Sequence, residues 1–211
     1  MGAVPVVLLL EALLLLVAGF LVGSVNPASI LARALGHDLR TAGSGNPGAT
    51  NAGRVLGRRW GLLVLVLDVA KAWLPTAAVA GSMGTSMALV VATGVLLGHM
   101  FSPFLGGRGG KGMACALGAV LALAPLVALA AVVVFLLALA LTRYVGEASV
   151  LVAGGVAVLG ALGLAGVLPG ARAPEAGWLL GVGCLVLLRH RGNIRAWWRR
   201  HARGADEAGP A

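Results

Sequence analysis

Long apolar runs recur along this chain of 211 residues and limit what it can fold into. Runs of membrane-spanning length occupy residues 4–23, 61–80, 85–105, 148–168 and 175–190, and a longer one fills 112–142. Because about 20 apolar residues in a helix cross the hydrocarbon core of a bilayer, each run predicts a transmembrane helix. Only 11% of the residues are charged, against about 25% in a soluble domain. We therefore expect an all-α integral membrane protein.

The longest run, 112–142, exceeds the length of a single perpendicular span, which takes about 20 residues. Pro125 lies near its middle, where a proline removes a helix hydrogen bond and favours a break. The run is therefore either one long kinked helix or two shorter helices folded into a hairpin.

The distribution of positive charge favours the hairpin. Basic residues in short loops remain on the cytoplasmic side of a membrane. They gather here in the 24–60 loop, in the 106–111 segment and after the last run, whereas the turn at 81–84 is uncharged. A hairpin places all three basic segments and Arg143 on the cytoplasmic side, which a single crossing would not. We expect seven transmembrane helical segments, with the N-terminus outside and the C-terminus in the cytoplasm.

We expect one polytopic membrane domain over residues 1–203 and a short, disordered polar tail over 204–211. The first run contains Glu11 and has no basic segment before it, so it is interpreted as a retained helix rather than a signal peptide. Glycines inside the runs are expected to let neighbouring helices pack closely. Examples are Gly154, Gly155, Gly160 and Gly163.

Few side chains inside the runs are ionisable or reactive. Asp68 and Lys71 lie three residues apart in one run, which predicts a structural ion pair facing the bundle. Cys115 and Cys184 lie in apolar runs and indicate neither a disulfide framework nor a metal cage. Histidines and carboxylates show no metal-ligand spacing, so no metal is expected.

Polar residues gather instead at the ends of the runs on the predicted cytoplasmic side. The first cluster, Gly-Ser-Val-Asn-Pro at 23–27, ends the first run. Ser24 and Asn26 are candidate substrate-binding residues, and helix capping is the alternative interpretation.

The second cluster is the nine-residue segment GSGNPGATN at 43–51, followed by Arg54. Glycines let backbone N–H groups turn inward as an anion-binding nest, and a helix starting near Pro47 would add positive charge. Arg54 can add a bidentate phosphate contact. The alternative is a flexible glycine-serine loop. The candidate phosphate-binding residues are Ser44, Gly45, Asn46, Gly48, Thr50, Asn51 and Arg54.

The third cluster joins Gly-His-Met-Phe at 98–101 to the glycine-rich basic segment GGRGGKG at 106–112. Backbone amides, a helix start and a cationic side chain converge again. Two such loops on one face indicate two phosphate groups, or one phosphate held from two sides. The candidate binding residues are His99, Gly109, Gly110 and Lys111.

The last two clusters are 143–149, which includes Ser149, and 189–194. His190 and Asn193 lie three residues apart and share a helix face if the helix continues that far. Histidine has a near-neutral reference pKa and can move protons. The candidate catalytic residues are His190, Asn193, Ser149 and Lys111.

Together these segments resemble the PlsY family, the bacterial membrane glycerol-3-phosphate acyltransferases that use acyl-phosphate as donor. The matching stretches cover nearly the whole chain in order. They are GSVNPASILARALG at 23–36, GSGNPGATNAGRVLG at 43–57, LDVAKAWLP at 67–75, GHMFSPFLGGRGGKG at 98–112 and RHRGNI at 189–194.

The resemblance implies an enzyme of phospholipid biosynthesis in the bacterial inner membrane, with its active site facing the cytoplasm. It implies transfer of a fatty acyl group from acyl-phosphate to the 1-hydroxyl of sn-glycerol 3-phosphate, giving lysophosphatidic acid and phosphate. No metal, cofactor or acyl-carrier thioester is implied. The expected partners are these two substrates and the lipid bilayer, with no nucleic acid, and the enzyme is expected to be monomeric. Since no Ser–His–acid triad is evident, direct attack is favoured over an acyl-enzyme.

The chain departs from the family pattern in two places. Ser102 precedes Pro103, where the family often has proline directly after Gly-His-x-Phe. In the fourth cluster, Gly146 and Glu147 replace a serine and a leucine. Ser149 matches the second serine of that segment and is a candidate to supply the missing hydroxyl.

Two other function classes fit part of the pattern. A transporter or channel for a small phosphorylated anion would explain the basic face, but its site should lie near the midplane, often between repeats. A non-catalytic bundle that organises other membrane enzymes would leave the glycine-rich loops unexplained. The enzyme is the favoured interpretation.

Overall fold

The computed structural model describes residues 3–207, with side chains described for 5–200, and every regular element in this part of the chain is helical. A 3-10 turn covers Pro103–Leu105. The helices are α1 (Ala3–Ser24), α2 (Pro27–Ala34), α3 (Ala49–Val55), α4 (Arg58–Met83), α5 (Thr85–Met100), α6 (Met113–Leu123), α7 (Pro125–Thr142), α8 (Val145–Leu164), α9 (Ala173–Arg189) and α10 (Arg191–Glu207). The predicted all-α class is confirmed.

The helices form two compact units, Met1–Ala128 and Leu129–Ala211. In the first unit, α5 is the central helix and packs against α1, α4 and α6. In the second unit, α8 packs against α9, and α10 contacts both. Helix α10 continues to Glu207, and the last part of the predicted polar tail, 208–211, lies outside the described residues.

Two Gly-x-x-x-Gly pairs bring the backbones of α1 and α5 together. Gly19 and Gly23 on α1 face α5, and Gly94 and Gly98 on α5 face α1. A Cβ atom on Gly98 would lie 2.0 Å from the carbonyl oxygen of Phe20, and on the other three 2.1 to 2.4 Å from a backbone oxygen. Any side chain at these positions would therefore separate the two helices.

The glycines singled out from the sequence behave in two ways. Gly160 and Gly163 on α8 face α9, and a Cβ atom on Gly160 would lie 2.4 Å from the backbone nitrogen of Leu180. Close packing is therefore confirmed at these two positions. At Gly154 and Gly155 the prediction is wrong, since a Cβ atom there would meet nothing within 4 Å.

Five helical segments of the described chain are long and apolar enough to cross a membrane. They are Pro5–Ala34, Arg58–Met83, Thr85–Leu105, Pro125–Thr142 and Val145–Leu164. Their outward side chains are apolar: Leu126 and Leu141 on α7 are 80% and 85% exposed. A surface of this kind is stable in contact with lipid rather than water.

The longest apolar run of the sequence is divided into two helices. Helix α6 ends before Ala124, whose φ of −147° and ψ of 73° leave the helical region, and α7 begins at Pro125. With 11 residues, α6 is about 16 Å long, roughly half the thickness of a hydrocarbon core. The proline therefore ends one helix and starts the next, as the two-helix alternative required.

Candidate active site

The segment 23–27 is held by hydrogen bonds at the end of α1. Asn26 caps α2, since its Oδ1 accepts a hydrogen bond from the backbone N–H of Ser29 at 2.8 Å. Its Nδ2 donates to the carbonyl oxygen of Pro47 at 3.0 Å, which ties the segment to the loop that follows α2. The buried hydroxyl of Ser24 donates to the carbonyl oxygen of Phe20 at 2.7 Å. Helix capping, the alternative interpretation, is thus observed for Asn26 but not for Ser24, and both residues also line a small cavity.

Asn51 holds the glycine-rich loop 43–51 from the inside. The side chain is 1% exposed, and its Oδ1 accepts a hydrogen bond from the backbone N–H of Ser44 at 2.8 Å. Its Nδ2 donates to the carbonyl oxygens of Leu39 and Ala42 at 3.1 and 3.0 Å. A Cβ atom on Gly43, whose φ is +60°, would lie 2.2 Å from the same Oδ1. The loop is therefore a fixed structure, not the flexible glycine-serine linker of the alternative interpretation.

The outer surface of this loop presents polar groups. Thr50 and Arg54 lie four residues apart on α3 and share a face, and both are exposed, as is Ser44. Arg54 makes no ion pair within the described part of the chain. Helix α3 begins at Ala49, two residues after the predicted start near Pro47.

An exposed ion pair lies just before the loop. The Arg40 guanidinium donates hydrogen bonds to both carboxylate oxygens of Asp38, at 3.2 and 3.0 Å. These hydrogen bonds, followed by one from the Arg40 backbone N–H, hold the pKa of Asp38 below its usual range. The pair therefore stays charged at neutral pH.

Lys71 links three helices of the first unit through one ammonium group. The Asp68–Lys71 ion pair predicted from the sequence is present, and both side chains are largely buried. The Nζ atom also reaches α1 and α5. Its neighbours are the carbonyl oxygens of Gly23 (3.2 Å) and Val25 (2.8 Å), the Oδ1 of Asp68 (2.9 Å) and the Nδ1 of His99 (3.0 Å). We call these five residues the Lys71 cluster.

The Lys71 cluster fixes the tautomer of His99. Because an ammonium can only donate, the His99 Nδ1 accepts the hydrogen bond, and a neutral ring carries its proton on Nε2. That Nε2 faces the second glycine-rich loop, since a Cβ atom on Gly110 would lie 2.1 Å from it. The backbone N–H of Gly110 donates to the His99 carbonyl oxygen at 3.0 Å. His99, 3% exposed, thus lies directly behind the residues that precede Lys111.

Three buried ligand-type atoms lie close together beside Lys71. One atom each from Asp68, His99 and Cys115 all lie within 4.8 Å of one another, a grouping that could hold a metal ion. No local pattern indicates this grouping, because the three residues are far apart along the chain. The Lys71 ammonium already lies within 3.0 Å of the Asp68 and His99 atoms. A metal ion would have to displace that positive charge, so these residues fit an ammonium better than a metal.

Hydrogen bonds join the first three polar clusters into one region of the first unit. Asn26 connects 23–27 to Pro47, and the buried Ser102 hydroxyl donates to the carbonyl oxygen of Ser24 at 2.7 Å. Lys71 adds a third link, between the end of α1 and His99. The first glycine-rich loop is thus anchored to this short segment directly, and the second through Ser102, whose carbonyl oxygen accepts a hydrogen bond from the backbone N–H of Gly107 at 2.9 Å.

His190 marks a break between α9 and α10. It is the C-cap of α9, and its carbonyl oxygen accepts hydrogen bonds from the backbone N–H groups of Asn193 and Ile194 in the first turn of α10. His190 and Asn193 were expected to share a helix face only if one helix continued through both. Because α9 ends at His190, that condition is not met. The His190 Nδ1 lies 2.8 Å from the Val186 carbonyl oxygen. Because a carbonyl only accepts, Nδ1 carries the proton, and the neutral ring presents Nε2 as an acceptor.

Asn193 packs against the glycine that replaces the family serine. A Cβ atom on Gly146 would lie 1.7 Å from the Asn193 Nδ2, so the amide occupies the place of a side chain. Ser149, the candidate substitute, is 4% exposed, and its hydroxyl donates to the Val145 carbonyl oxygen at 2.8 Å. Gly146 therefore allows α10 to approach the first turn of α8 closely.

Glu147, the second departure from the family pattern, forms an ion pair with Arg200 of α10. The Arg200 guanidinium also lies over the Tyr144 ring, 4.3 Å from its centroid. Sequence reasoning missed this contact because the two charged residues are 53 positions apart. The replacement of leucine by glutamate at 147 was the one available signal.

Comparison with known proteins identifies the family. The model of the glycerol-3-phosphate acyltransferase family matches residues 13–200. The chain belongs to this family. The glycerol-3-phosphate acyltransferase of Geotalea daltonii is 38% identical over 189 residues, covering 87% of this chain and 92% of the relative. That of Anaeromyxobacter dehalogenans is 42% identical over 188 residues, covering 86% and 91%.

Solved structures of the family agree with this fold. The chain is similar to PlsY (YgiH), described as an integral membrane glycerol 3-phosphate acyltransferase, in its glycerol 3-phosphate form. The two are 36% identical with a TM-score of 0.82, over 89% of this chain and 92% of that one. The lysophosphatidic acid form gives a TM-score of 0.79 at 35% identity. The PlsY resemblance drawn from the sequence motifs is thereby confirmed.

Proposed function

We propose that this membrane acyltransferase transfers a fatty acyl group from acyl-phosphate to the 1-hydroxyl of sn-glycerol 3-phosphate. The observation that carries the proposal is the anchoring of the loop 43–51, and of Ser102 ahead of the loop 106–112, to the segment 23–27. The backbone N–H of Gly107 in turn donates to the Ser102 carbonyl oxygen at 2.9 Å. The donor and the acceptor each carry a phosphate group. A loop followed by Arg54 and a second loop that contains Arg108 and Lys111 therefore match the charges that the reaction brings together.

The loop 43–51 binds the phosphate of the acyl-phosphate in this proposal. Ser44, Thr50 and Arg54 are exposed on its surface, while Asn51 holds the backbone from below. Arginine presents a rigid fork of donors that matches phosphate oxygens. Lys111 holds phosphate from the second loop. The backbone N–H groups of Gly109 and Gly110, expected from the sequence to bind phosphate, donate instead to the carbonyl oxygens of Met100 and His99 and shape that loop.

His190 and Asn193 act on glycerol 3-phosphate. The Nε2 of neutral His190 accepts a hydrogen bond from the acceptor hydroxyl, and the Asn193 amide orients the alcohol. The hydroxyl oxygen attacks the acyl carbonyl carbon and forms the ester C–O bond. The C–O bond to phosphate breaks, phosphate departs with the electron pair, and the hydroxyl proton passes to His190 or to a phosphate oxygen. An acyl-phosphate carbonyl is already activated, so positioning and charge stabilisation suffice.

The proposed topology has seven transmembrane segments, with the N-terminus outside and the C-terminus in the cytoplasm. Helices α1, α4, α5, α7 and α8 are supported by their length and hydropathy. The two segments of the divided run are α6 and α7. Helix α9 has 17 residues, which is the lower end of the length that spans a bilayer, about 17 to 25 residues. The active site then faces the cytoplasm at the bacterial inner membrane, and the enzyme acts as a monomer without a metal.

The proposal is tested with purified protein in detergent or lipid, by following phosphate release from acyl-phosphate. Release should require glycerol 3-phosphate and yield lysophosphatidic acid. Arg54→Ala and Lys111→Ala should each lose most activity while remaining folded. Arg58→Ala, which removes an exposed arginine at the start of α4, is the matched control and should remain active. Full activity in both loop variants would refute the phosphate assignment, and retained turnover in His190→Ala would remove His190 as an essential base.

A further inference from the structure

Helix α10 carries a basic stripe that the proposed reaction does not use. Arg191, Arg195 and Arg199 are each four residues apart and lie on one face, together with Trp198. All four side chains are exposed, Trp198 by 62%. Among side chains 5–200, none of these arginines forms an ion pair. We call these four residues the arginine stripe.

The opposite face of α10 is fixed to α8. Asn193, near the start of α10, lies against Gly146, and Arg200 pairs with Glu147. Seven residues of helix separate Asn193 from Arg200, a distance of about 10 Å. Both nevertheless contact neighbouring residues in the first turn of α8. Helix α10 therefore lies against the side of the first turn of α8 rather than pointing away from it.

The same helix crosses the connection between α7 and α8. Trp197 and Arg200 line a cavity with Leu141 and Thr142 at the end of α7, and with Tyr144 before α8. Helices α7 and α8 are both candidate membrane spans, so their connection lies at a membrane surface. Helix α10 consequently lies along that surface, with the arginine stripe turned away from α8.

We propose that the arginine stripe binds the headgroups of anionic phospholipids. Three guanidinium groups on one face complement a negatively charged lipid surface, and each fits a phosphate oxygen pair. An exposed tryptophan among them is typical of the membrane–water interface, where the ring contacts the acyl boundary. A helix with a basic face and an interfacial aromatic residue is suited to the plane of the headgroups. The inference does not depend on the proposed function.

Brominated lipids provide the direct test, because Trp198 lies within the stripe and bromine quenches tryptophan fluorescence on contact. The full-length protein in nonionic micelles is titrated with brominated phosphatidylglycerol, and separately with neutral brominated phosphatidylcholine. Wild type should be half-quenched at a lower fraction of phosphatidylglycerol than of phosphatidylcholine. Each basic residue near an anionic surface strengthens binding about fivefold. R191Q/R195Q/R199Q should therefore need at least about tenfold more phosphatidylglycerol, with an unchanged phosphatidylcholine curve.

A matched triple variant, R33Q/R58Q/R59Q, removes the same charge from exposed arginines elsewhere and should keep the wild-type curves. Trp198→Phe should remove the quenching that is specific to phosphatidylglycerol. Equal phosphatidylglycerol curves for wild type and the folded stripe variant would overturn the proposal. A control triple variant whose phosphatidylglycerol curve shifts as far as that of the stripe variant would also overturn it.

Salt gives a measurement that needs no variant. Sodium chloride at 1 M reduces the Debye length to about 3 Å and should abolish the preference of wild type for phosphatidylglycerol. A preference that persists at 1 M would contradict the assignment. Sodium phosphate of equal ionic strength should reduce the preference for phosphatidylglycerol no more than sodium chloride does. Stronger displacement by phosphate would mean that the stripe binds free phosphate, which would also overturn the proposal.

Discussion

The Nζ of Lys71 lies 3.0 Å from the Nδ1 of His99 and joins the middle of α4 to the end of α5. The same ammonium bonds the carbonyl oxygens that end α1, so one charge holds three helices in register. Directly beyond His99 lies Gly110, next to the proposed phosphate-binding Lys111. The arrangement connects a buried ion pair to the proposed site through a single imidazole ring.

Replacing Lys71 should therefore destabilise the protein strongly. Lys71→Met leaves the Asp68 carboxylate, whose side chain is 2% exposed, without its cation. Removing one member of a buried pair costs about 3 to 5 kcal/mol, which should appear as a large fall in the unfolding temperature in detergent. The double variant K71M/D68N removes the unpaired charge and should recover part of that loss. An unchanged unfolding temperature in Lys71→Met would contradict the role given to the cluster.

Because glycines let the backbones of α1 and α5 lie in close contact, adding a single methyl group at this contact should lower the stability of the protein. Gly98→Ala places a Cβ atom 2.0 Å from the Phe20 carbonyl oxygen and should push the two helices apart. Gly154→Ala makes the same change in α8, where nothing lies within 4 Å, and should be neutral or slightly stabilising. Thermal unfolding followed by tryptophan fluorescence compares the two. Equal unfolding temperatures would show that the backbones are not in close contact.

Asn51 should matter to both stability and substrate binding. Asn51→Ala removes three hydrogen bonds from a buried position, which costs about 1 to 3 kcal/mol where a polar partner is left unsatisfied. Because the amide holds Ser44 in place, the apparent KM for acyl-phosphate should also rise. Thr41→Ala, which removes one exposed hydrogen bond from the preceding turn, is the control and should change neither. A wild-type KM for acyl-phosphate in a folded Asn51→Ala protein would show that the loop 43–51 does not bind the phosphate of this substrate.

Restoring the family serine should be harmful in this chain. Gly146→Ser introduces a Cβ atom 1.7 Å from the Asn193 amide nitrogen, so α10 or the Asn193 side chain must move. We expect lower stability and, if Asn193 orients the acceptor, a lower kcat. Gly155→Ser on the open side of α8 is the control and should leave both unchanged. A Gly146→Ser protein that is as stable as wild type and more active would contradict this prediction. It would show that the missing serine hydroxyl limits activity, and that Asn193 does not need the space left by Gly146.

Local patterns predicted much of this structure. The hydropathy of α1, α4, α5, α7 and α8 is strong enough to place them, and Pro125 correctly marked the break between α6 and α7. The Asp68–Lys71 pair followed from an i, i+3 spacing in an apolar run. Each of these features depends on residues that are close in sequence.

Long-range contacts could not be predicted in the same way. The His99 and Val25 partners of Lys71 are 28 and 46 positions away, and Glu147 is 53 positions from Arg200. No periodicity records such distances, so the Lys71 cluster and the fixation of α10 emerged only from the fold. The turn at His190 was also hidden, because the residues around it are compatible with a continuous helix.

The choice of acyl donor distinguishes the proposed reaction from thioester-dependent acyl transfer. Purified protein in lipid is given glycerol 3-phosphate with either acyl-phosphate or an acyl thioester of the same chain length, and lysophosphatidic acid and phosphate are measured together. Lysophosphatidic acid should form from acyl-phosphate alone, with one phosphate released for each ester formed and none without the acceptor. Equal product from the thioester, or phosphate release that does not require glycerol 3-phosphate, would contradict the proposed reaction.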